Sequence, residues 1–217
     1  MPDPDRLALS GFADASPPWR GPDHEPPGIL VLVVGPSGAG KDTLLNAARA
    51  YFQGDDAVTF CERLITRNGQ IGEKHTAVSD AEFGRLLDSG ELFLAWEAHG
   101  LHYGVGAGAL SALIAGKTVI ANVSRHVICE ARLRWPNTRV VYVTASEEAR
   151  RKRLLGRGRE SAAEIDSRLK RGRVRDCPDA EWVSWLDNSG DLADGIARFN
   201  ALIADIANER ADSGRAA

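Results

Sequence analysis

The sequence is poor in several residue types, and each scarcity excludes a class of protein. It has only three cysteines among 217 residues, and Cys61, Cys129 and Cys177 show none of the paired spacing of zinc or redox sites. This odd, scattered set favours reduced thiols and a cytoplasmic protein over a disulfide framework. No apolar run is long enough to cross a bilayer, so no membrane partner is expected. The formal net charge of −3 gives no basis for a nucleic-acid-binding surface.

Lysine is also scarce, because 22 of the 27 basic residues are arginine. Arginine binds phosphate and carboxylate groups through two parallel hydrogen bonds, which suits a protein that handles phosphorylated ligands. A genome rich in G and C produces the same bias without any physical cause, so composition alone leaves both explanations open.

The order of apolar segments predicts one α/β domain. Residues 1–28 are rich in Pro, Asp and Gly and are expected to form a disordered leader. From 29 to 207, apolar β-branched runs alternate with helical patterns, which predicts a parallel five-stranded core sheet with helices on both faces. Residues 208–217 are expected to be a frayed tail. The predicted strands are 29–34, 92–97, 119–123, 140–143 and 182–188.

A glycine-rich run follows the first predicted strand and precedes the first helix. Glycines at such a junction let successive backbone N–H groups point into one concavity at the positive end of the helix dipole, where a phosphate chain binds. A lysine here reaches the β- and γ-phosphates, so the run is typical of a P-loop nucleoside-triphosphatase. The alternative is a glycine-rich turn with a surface lysine. The run consists of Gly35, Pro36, Ser37, Gly38, Ala39, Gly40, Lys41, Asp42 and Thr43.

Two residues of this run allow alternative roles. Asp42 occupies the position that normally holds Ser or Thr. It is either a magnesium ligand, directly or through water, or a helix-end carboxylate favoured by the dipole. Thr43 either supplies a hydroxyl to a phosphate or is an ordinary residue of the first helical turn.

The sequence resembles the guanylate-kinase-like branch of the nucleotide-monophosphate kinases from 29 to 207. The resemblance implies an acceptor-binding arm at about 60–105 and a lid at about 156–172. The motifs that carry it are the P-loop, Thr66-Arg67, Gly72-Glu73 with His75, Glu97 with His99-Gly100, Tyr103-Gly104 and Arg157-Gly158.

Four departures from guanylate kinases point to a narrower resemblance. Asp42 follows the P-loop lysine, Gln70 and Lys74 replace an Arg and a Tyr, and Ser124 replaces an Asp that helps to hold guanine and the metal. With these changes the chain looks like the ribose 1,5-bisphosphate phosphokinases, which make 5-phosphoribosyl 1-diphosphate and in bacteria accompany phosphonate breakdown. ATP, Mg²⁺ and ribose 1,5-bisphosphate are the implied ligands. A guanylate kinase and a binding module without catalysis remain alternatives, and the oligomeric state, monomer or homodimer, stays open.

The resemblance also implies site residues. For the nucleotide they are the run 35–43 with Arg153 and Asn188, and for the metal Asp42. Simpler interpretations are a solvated loop arginine for Arg67, a core aromatic for Tyr103 and a basic helix end for Arg153, Arg157 and Arg159. The three histidines His75, His99 and His102 are expected to be structural. The implied catalytic residues are Lys41, Arg67 and Arg157, and the implied acceptor residues are Arg63, Arg67, Glu97, Tyr103, Ser124 and Arg168.

Overall fold

The computed structural model describes residues 27–67, 75–156, 162–171 and 180–213. In this part of the chain the strands are β1 (Ile29–Val34), β2 (Val58–Phe60), β3 (Arg63–Ile65), β4 (His75–Ala77), β5 (Leu92–Ala98), β6 (Leu101–Gly106), β7 (Thr118–Asn122), β8 (Thr138–Thr144) and β9 (Val183–Asp187). The α-helices are α1 (Lys41–Tyr51), α2 (Asp80–Asp88), α3 (Gly108–Ile114), α4 (Ile128–Arg134), α5 (Glu147–Gly156), α6 (Ala162–Arg171) and α7 (Leu192–Ser213).

Strand β1 lies at the centre of a five-stranded parallel sheet with the order β2-β7-β1-β8-β9. All six residues of β1 are buried, because apolar side chains leave both faces of the strand. One face packs Leu30, Leu32 and Val34 against a cluster that includes Trp135. The opposite face packs Ile29, Val31 and Val33 against α1 and α7. The prediction of a parallel five-stranded core with helices on both faces is therefore confirmed.

The membership of this sheet differs from the prediction in one strand. The fifth core strand is β2, whereas the predicted strand at 92–97 belongs to a second sheet with the order β4-β3-β6-β5. Strand β5 pairs antiparallel with β6, which in turn pairs antiparallel with β3. The segment 99–104 contains one tight turn at His99 and Gly100 and then enters β6. Apolar content alone does not specify a strand's partner, so the sequence pattern assigned β5 to the wrong sheet.

Helix ends follow local chemistry closely. The Ser79 side chain caps α2 by accepting a hydrogen bond of 3.1 Å from the Glu82 backbone N–H, and the spacing of these two residues in the sequence is that of a capping box. Helix α7 continues to Ser213, beyond the predicted end at 207.

No helix in the described ranges combines the length and the apolar character that crossing a bilayer requires.

Several predicted features lie outside the described residues. They are the leader as far as residue 26, Gln70, Gly72, Glu73 and Lys74 of the acceptor arm, Arg157 and Arg159 of the lid, Cys177, and residues 214–217.

Candidate active site

A cleft of about 300 Å³ opens where β1 and β7 end, between the two sheets. The carboxyl edge of a parallel sheet is the usual ligand site of α/β folds, and this volume lies within the range of small-molecule sites. The lining residues comprise the glycine-rich loop, one face of the second sheet, the segment after β7 and one residue of α6. They are Gly35, Pro36, Ser37, Gly38, Gly40, Lys41, Asp42, Arg63, Trp96, Ala98, His99, Tyr103, Asn122, Val123, Ser124, Arg125, His126 and Arg168.

The loop between β1 and α1 requires glycine for its shape. Gly38 and Gly40 have φ angles of 82° and 94°, in the left-handed region that other residues rarely adopt. A Cβ atom on Gly40 would lie 2.5 Å from Nδ2 of Asn188, so there is also no space for a side chain. Ala39 turns inward instead and is fully buried in the core, so its side chain contributes no surface to the cleft.

Lys41 lies at the start of α1 with its ammonium group folded over the loop. Its Nζ atom donates hydrogen bonds to the carbonyl oxygens of Gly35, at 2.7 Å, and of Pro36, at 3.3 Å. The positive charge is therefore held at the mouth of the loop, on the side that faces the cleft. A phosphate chain on the loop amides would meet this charge directly.

Asp42 lines the same cleft and contacts the end of β7. The Asn122 side chain donates a hydrogen bond of 3.1 Å from Nδ2 to the Asp42 carboxylate oxygen Oδ1. This bond fixes the carboxylate beside the phosphate-binding loop. Mg²⁺ prefers oxygen ligands and in kinases commonly uses one or two carboxylates together with substrate phosphates, so the donor set fits such an ion.

Two arginines of α5 and one asparagine hold the loop from behind. The buried Arg150 donates from Nε to the Ser37 carbonyl at 2.9 Å, and Arg153 donates from Nη1 to the Ala39 carbonyl at 3.3 Å. The side chain of Asn188, which is 1% exposed, donates to the same Ala39 carbonyl at 2.8 Å.

These contacts show where two implied nucleotide-binding residues lie. The side chains of Arg153 and Asn188 bond backbone carbonyl groups behind the loop. Their contacts with the nucleotide itself stay predictions. Arg150 was not predicted at all, although its spacing of four residues from the buried Leu154 places both on the inner face of α5.

The wall formed by the second sheet is aromatic and cationic. Tyr103 stacks on Trp96 with ring centroids 5.5 Å apart, and the Arg63 guanidinium lies 5.8 Å from the centroid of the Tyr103 ring. Burial raises the pKa of the Tyr103 phenol, and the positive charges of Arg63, Arg67 and Arg168 act against that rise. Three arginines, from β3, from the residues just after it and from α6, are thus close enough to act on one phenol, an arrangement suited to a phosphate group.

The opposite wall is formed by the segment that follows β7. Ser124, one of the implied acceptor residues, lies here, and Arg125 and His126 follow it along the cleft. His99, which was expected to be structural, also lines the cleft from its turn, where its φ angle is 56°. Arg125, His126 and His99 were not predicted as site residues, although the position of Arg125 just beyond a parallel strand's carboxyl end was an available signal.

Other predicted residues are placed elsewhere. Glu97 does not line the cleft, because alternation along β5 directs its neighbours Trp96 and Ala98 there and pairs Glu97 with His102 on the other face. Thr43 is exposed on α1 and does not line the cleft. Arg67 is half-buried near Tyr103 without lining the cleft itself.

A phosphate-binding loop with its lysine, facing arginines across a cleft, defines a kinase of the P-loop class. The ribose 1,5-bisphosphate phosphokinase PhnN of Rhizobium etli is 44% identical over 184 residues, which cover 82% of this chain and 93% of that protein. The ribose 1,5-bisphosphate phosphokinase PhnN of Brucella melitensis is 41% identical over 175 residues, covering 80% and 91%. This chain belongs to the ribose 1,5-bisphosphate phosphokinase family.

Comparison with solved structures supports the same fold. The crystal structure of guanylate kinase from Anaplasma phagocytophilum matches with a TM-score of 0.56 and 20% sequence identity, covering 82% of this chain and 85% of that one. At this identity the likeness concerns the fold alone. No protein-family model matches the chain.

Proposed function

We propose that this kinase transfers the γ-phosphoryl group of ATP to the 1-phosphate of ribose 1,5-bisphosphate. The products are ADP and 5-phosphoribosyl 1-diphosphate. Family membership and the arginine-lined cleft facing Lys41 support this proposal. The cleft carries cationic side chains opposite the triphosphate loop, as a phosphorylated acceptor requires.

The reaction needs positioning more than proton transfer. An oxygen of the 1-phosphate forms a bond to the γ-phosphorus, and the bond from that phosphorus to the β–γ bridging oxygen breaks, so that ADP carries away the electron pair. A phosphate monoester has a second pKa near 6, so the nucleophile is already ionised at neutral pH and no general base is required. The chain's contribution is to hold two anions in line and to offset their charge.

Individual residues divide this task. The loop amides and Lys41 bind the β- and γ-phosphates, with Lys41 facing the group that is transferred. Arg63 and Arg168, which line the cleft, hold the reacting phosphate beside Tyr103, and the nearby charge of Arg67 adds to the positive potential there. Asp42 would hold Mg²⁺, which would supply positive charge against the charge that develops on the transferred phosphoryl group.

The setting that we propose is a cytoplasmic step of phosphonate breakdown. The acceptor is a small molecule, and neither a nucleic acid nor a membrane is part of the proposed function. The names of the relatives and the net charge of −3 support this setting.

Phosphorus NMR of reaction mixtures tests the proposal. The wild-type protein is incubated with ATP and Mg²⁺ and, in parallel, with ribose 1,5-bisphosphate, GMP or ribose 5-phosphate. We expect a new diphosphate signal attached to C1 only with ribose 1,5-bisphosphate. Ribose 5-phosphate should fail because its C1 hydroxyl is not ionised, whereas the 1-phosphate of the proposed acceptor is. GDP as the favoured product would replace this proposal with a guanylate kinase.

A further inference from the structure

We propose that the segment after β7 forms a separate site for the 5-phosphate of the acceptor, with Arg125 as its principal ligand. This inference rests on the proposed function, because it assigns the second phosphate of ribose 1,5-bisphosphate to a second wall of the cleft. Arg125 would thereby be the residue that distinguishes a bisphosphate acceptor from a monophosphate.

The first argument is the charge of the cleft. Its lining includes four full cations, Lys41, Arg63, Arg125 and Arg168, against one carboxylate, Asp42, among the residues that the structure describes. Lys41 is committed to the triphosphate loop, and Arg63 and Arg168 belong to the wall around Tyr103. Arg125 is the fourth cation, and it comes from the segment after β7 and not from the loop or from the wall around Tyr103.

The second argument is that different structural elements form the two walls of the cleft. The charge of Arg168 acts on Tyr103, and the Arg168 carbonyl accepts a hydrogen bond of 3.4 Å from Arg150, which also holds Ser37 of the phosphate-binding loop. The wall around Tyr103 is thus linked to the loop through Arg150, and the proposed function assigns the reacting 1-phosphate to this wall. Arg125 lies on the other wall, beyond the end of β7.

The third argument concerns the other side chains that line the cleft with Arg125. His126 follows Arg125 on the same segment and is exposed at the cleft, and His99 lines the cleft from the turn between β5 and β6 of the second sheet. Guanidinium and imidazole N–H groups are donors suited to a phosphate monoester, which carries close to two negative charges at neutral pH. No carboxylate accompanies them among the described lining residues beyond Asp42.

The test compares two acceptors that differ only in the 5-phosphate, ribose 1,5-bisphosphate and ribose 1-phosphate. We expect Arg125→Gln to lower kcat/KM for ribose 1,5-bisphosphate about 10- to 100-fold, the value of a lost charge-assisted contact. The same change should leave kcat/KM for ribose 1-phosphate within about threefold, since that acceptor lacks the group that Arg125 binds. The inhibition constant of ribose 1-phosphate against the bisphosphate provides its affinity independently of its turnover.

Three further variants test whether the loss of kcat/KM depends on the charge at position 125 and on its wall of the cleft. Arg125→Lys keeps the charge and should recover part of the lost activity. Arg63→Gln, on the wall around Tyr103, should weaken both acceptors to a similar extent. Arg85→Gln removes an exposed arginine of α2 that pairs with Glu82 and Glu91, and it should change neither acceptor.

The outcomes separate this inference from the proposed function. If Arg125→Gln lowers kcat/KM for both acceptors equally, or for neither, the 5-phosphate site is wrong while the kinase activity stands. If the wild-type protein does not phosphorylate ribose 1,5-bisphosphate, the proposed function fails, and this assignment fails with it. A thermal melt of each variant distinguishes lost binding from lost folding.

Discussion

Lys41 is the residue on which phosphoryl transfer depends most directly. Its ammonium group lies at the mouth of the phosphate-binding loop, bonded to the Gly35 carbonyl, and makes no packing contribution to the core. We expect Lys41→Ala to lower kcat on the order of 100- to 1,000-fold, because transition-state charge loses its nearest cation. Steady-state kinetics measures the effect, with Lys152→Ala, an exposed lysine of α5, as the matched control.

Comparing kcat of Lys41→Ala and Lys152→Ala isolates the effect of position, because both changes remove the same side chain. Both variants should show the same unfolding midpoint as the wild type, which far-ultraviolet circular dichroism can follow. Activity of Lys41→Ala within a few-fold of wild type would contradict a P-loop kinase mechanism.

Metal binding can be tested at Asp42 by replacing its carboxylate with the amide of asparagine. Asp42→Asn retains an oxygen that can accept from Asn122 but loses the charge that would hold Mg²⁺. We expect the Mg²⁺ concentration for half-maximal rate to rise about tenfold or more. Binding of Mn²⁺ followed by electron paramagnetic resonance gives the same comparison without turnover.

The replacement Asp42→Ser restores the residue type usual in such loops and should be tolerated. If Asp42→Asn leaves the metal titration and Mn²⁺ binding unchanged, the carboxylate serves only the N-terminus of α1.

At the scale of elements, two helical glycines offer a matched comparison. Gly195 of α7 is buried, and a Cβ atom there would collide with Oδ1 of Asn188, whereas Gly84 of α2 has open space around it. We expect Gly195→Ala to destabilise the protein by about 1–3 kcal/mol through overpacking. Gly84→Ala should instead stabilise it by about 0.4–1 kcal/mol, because alanine loses less backbone entropy in a helix.

Urea denaturation measures both changes as shifts of the midpoint at a constant slope. Because Asn188 also bonds the Ala39 carbonyl, Gly195→Ala should raise the KM for ATP, and Gly84→Ala should not. Equal stability changes in the two variants would show that Asn188 moves aside without cost.

Elements differ in how well the sequence predicts them. The loop at 35–43 and the α2 cap depend on contacts within a few residues, so their patterns predict them reliably. Strand β5 was assigned to the wrong sheet because its pairing with β6 is a tertiary contact, which also determines the face on which Glu97 lies. The contacts of Arg150 and Asn188 join residues more than one hundred positions apart, which no local pattern encodes.

At the scale of the whole molecule, nucleotide binding should stabilise the fold. The loop is held by α5 and by the residue after β9, so a ligand on it favours the assembled core over the unfolded chain. At a hundredfold excess over its Kd, ADP should add about 2.7 kcal/mol and raise Tm by roughly 5–10 °C. Differential scanning fluorimetry measures this shift.

The same experiment on Lys41→Ala provides the control. That variant should melt near the wild-type temperature without ligand and should show a smaller shift with ADP. A wild-type Tm that is insensitive to millimolar ADP would contradict nucleotide binding at the loop.

The bonds behind the loop have a consequence for the electrical polarity of its peptide groups. In a trans peptide, the C=O of one residue and the N–H of the next point in opposite directions, and all described peptides are trans. Arg150 draws the Ser37 carbonyl backwards and Asn188 draws the Ala39 carbonyl backwards, so the N–H groups of Gly38 and Gly40 are turned forwards. The dipoles that receive a phosphate are therefore oriented when the chain folds, and little reorganisation energy remains for the moment of transfer.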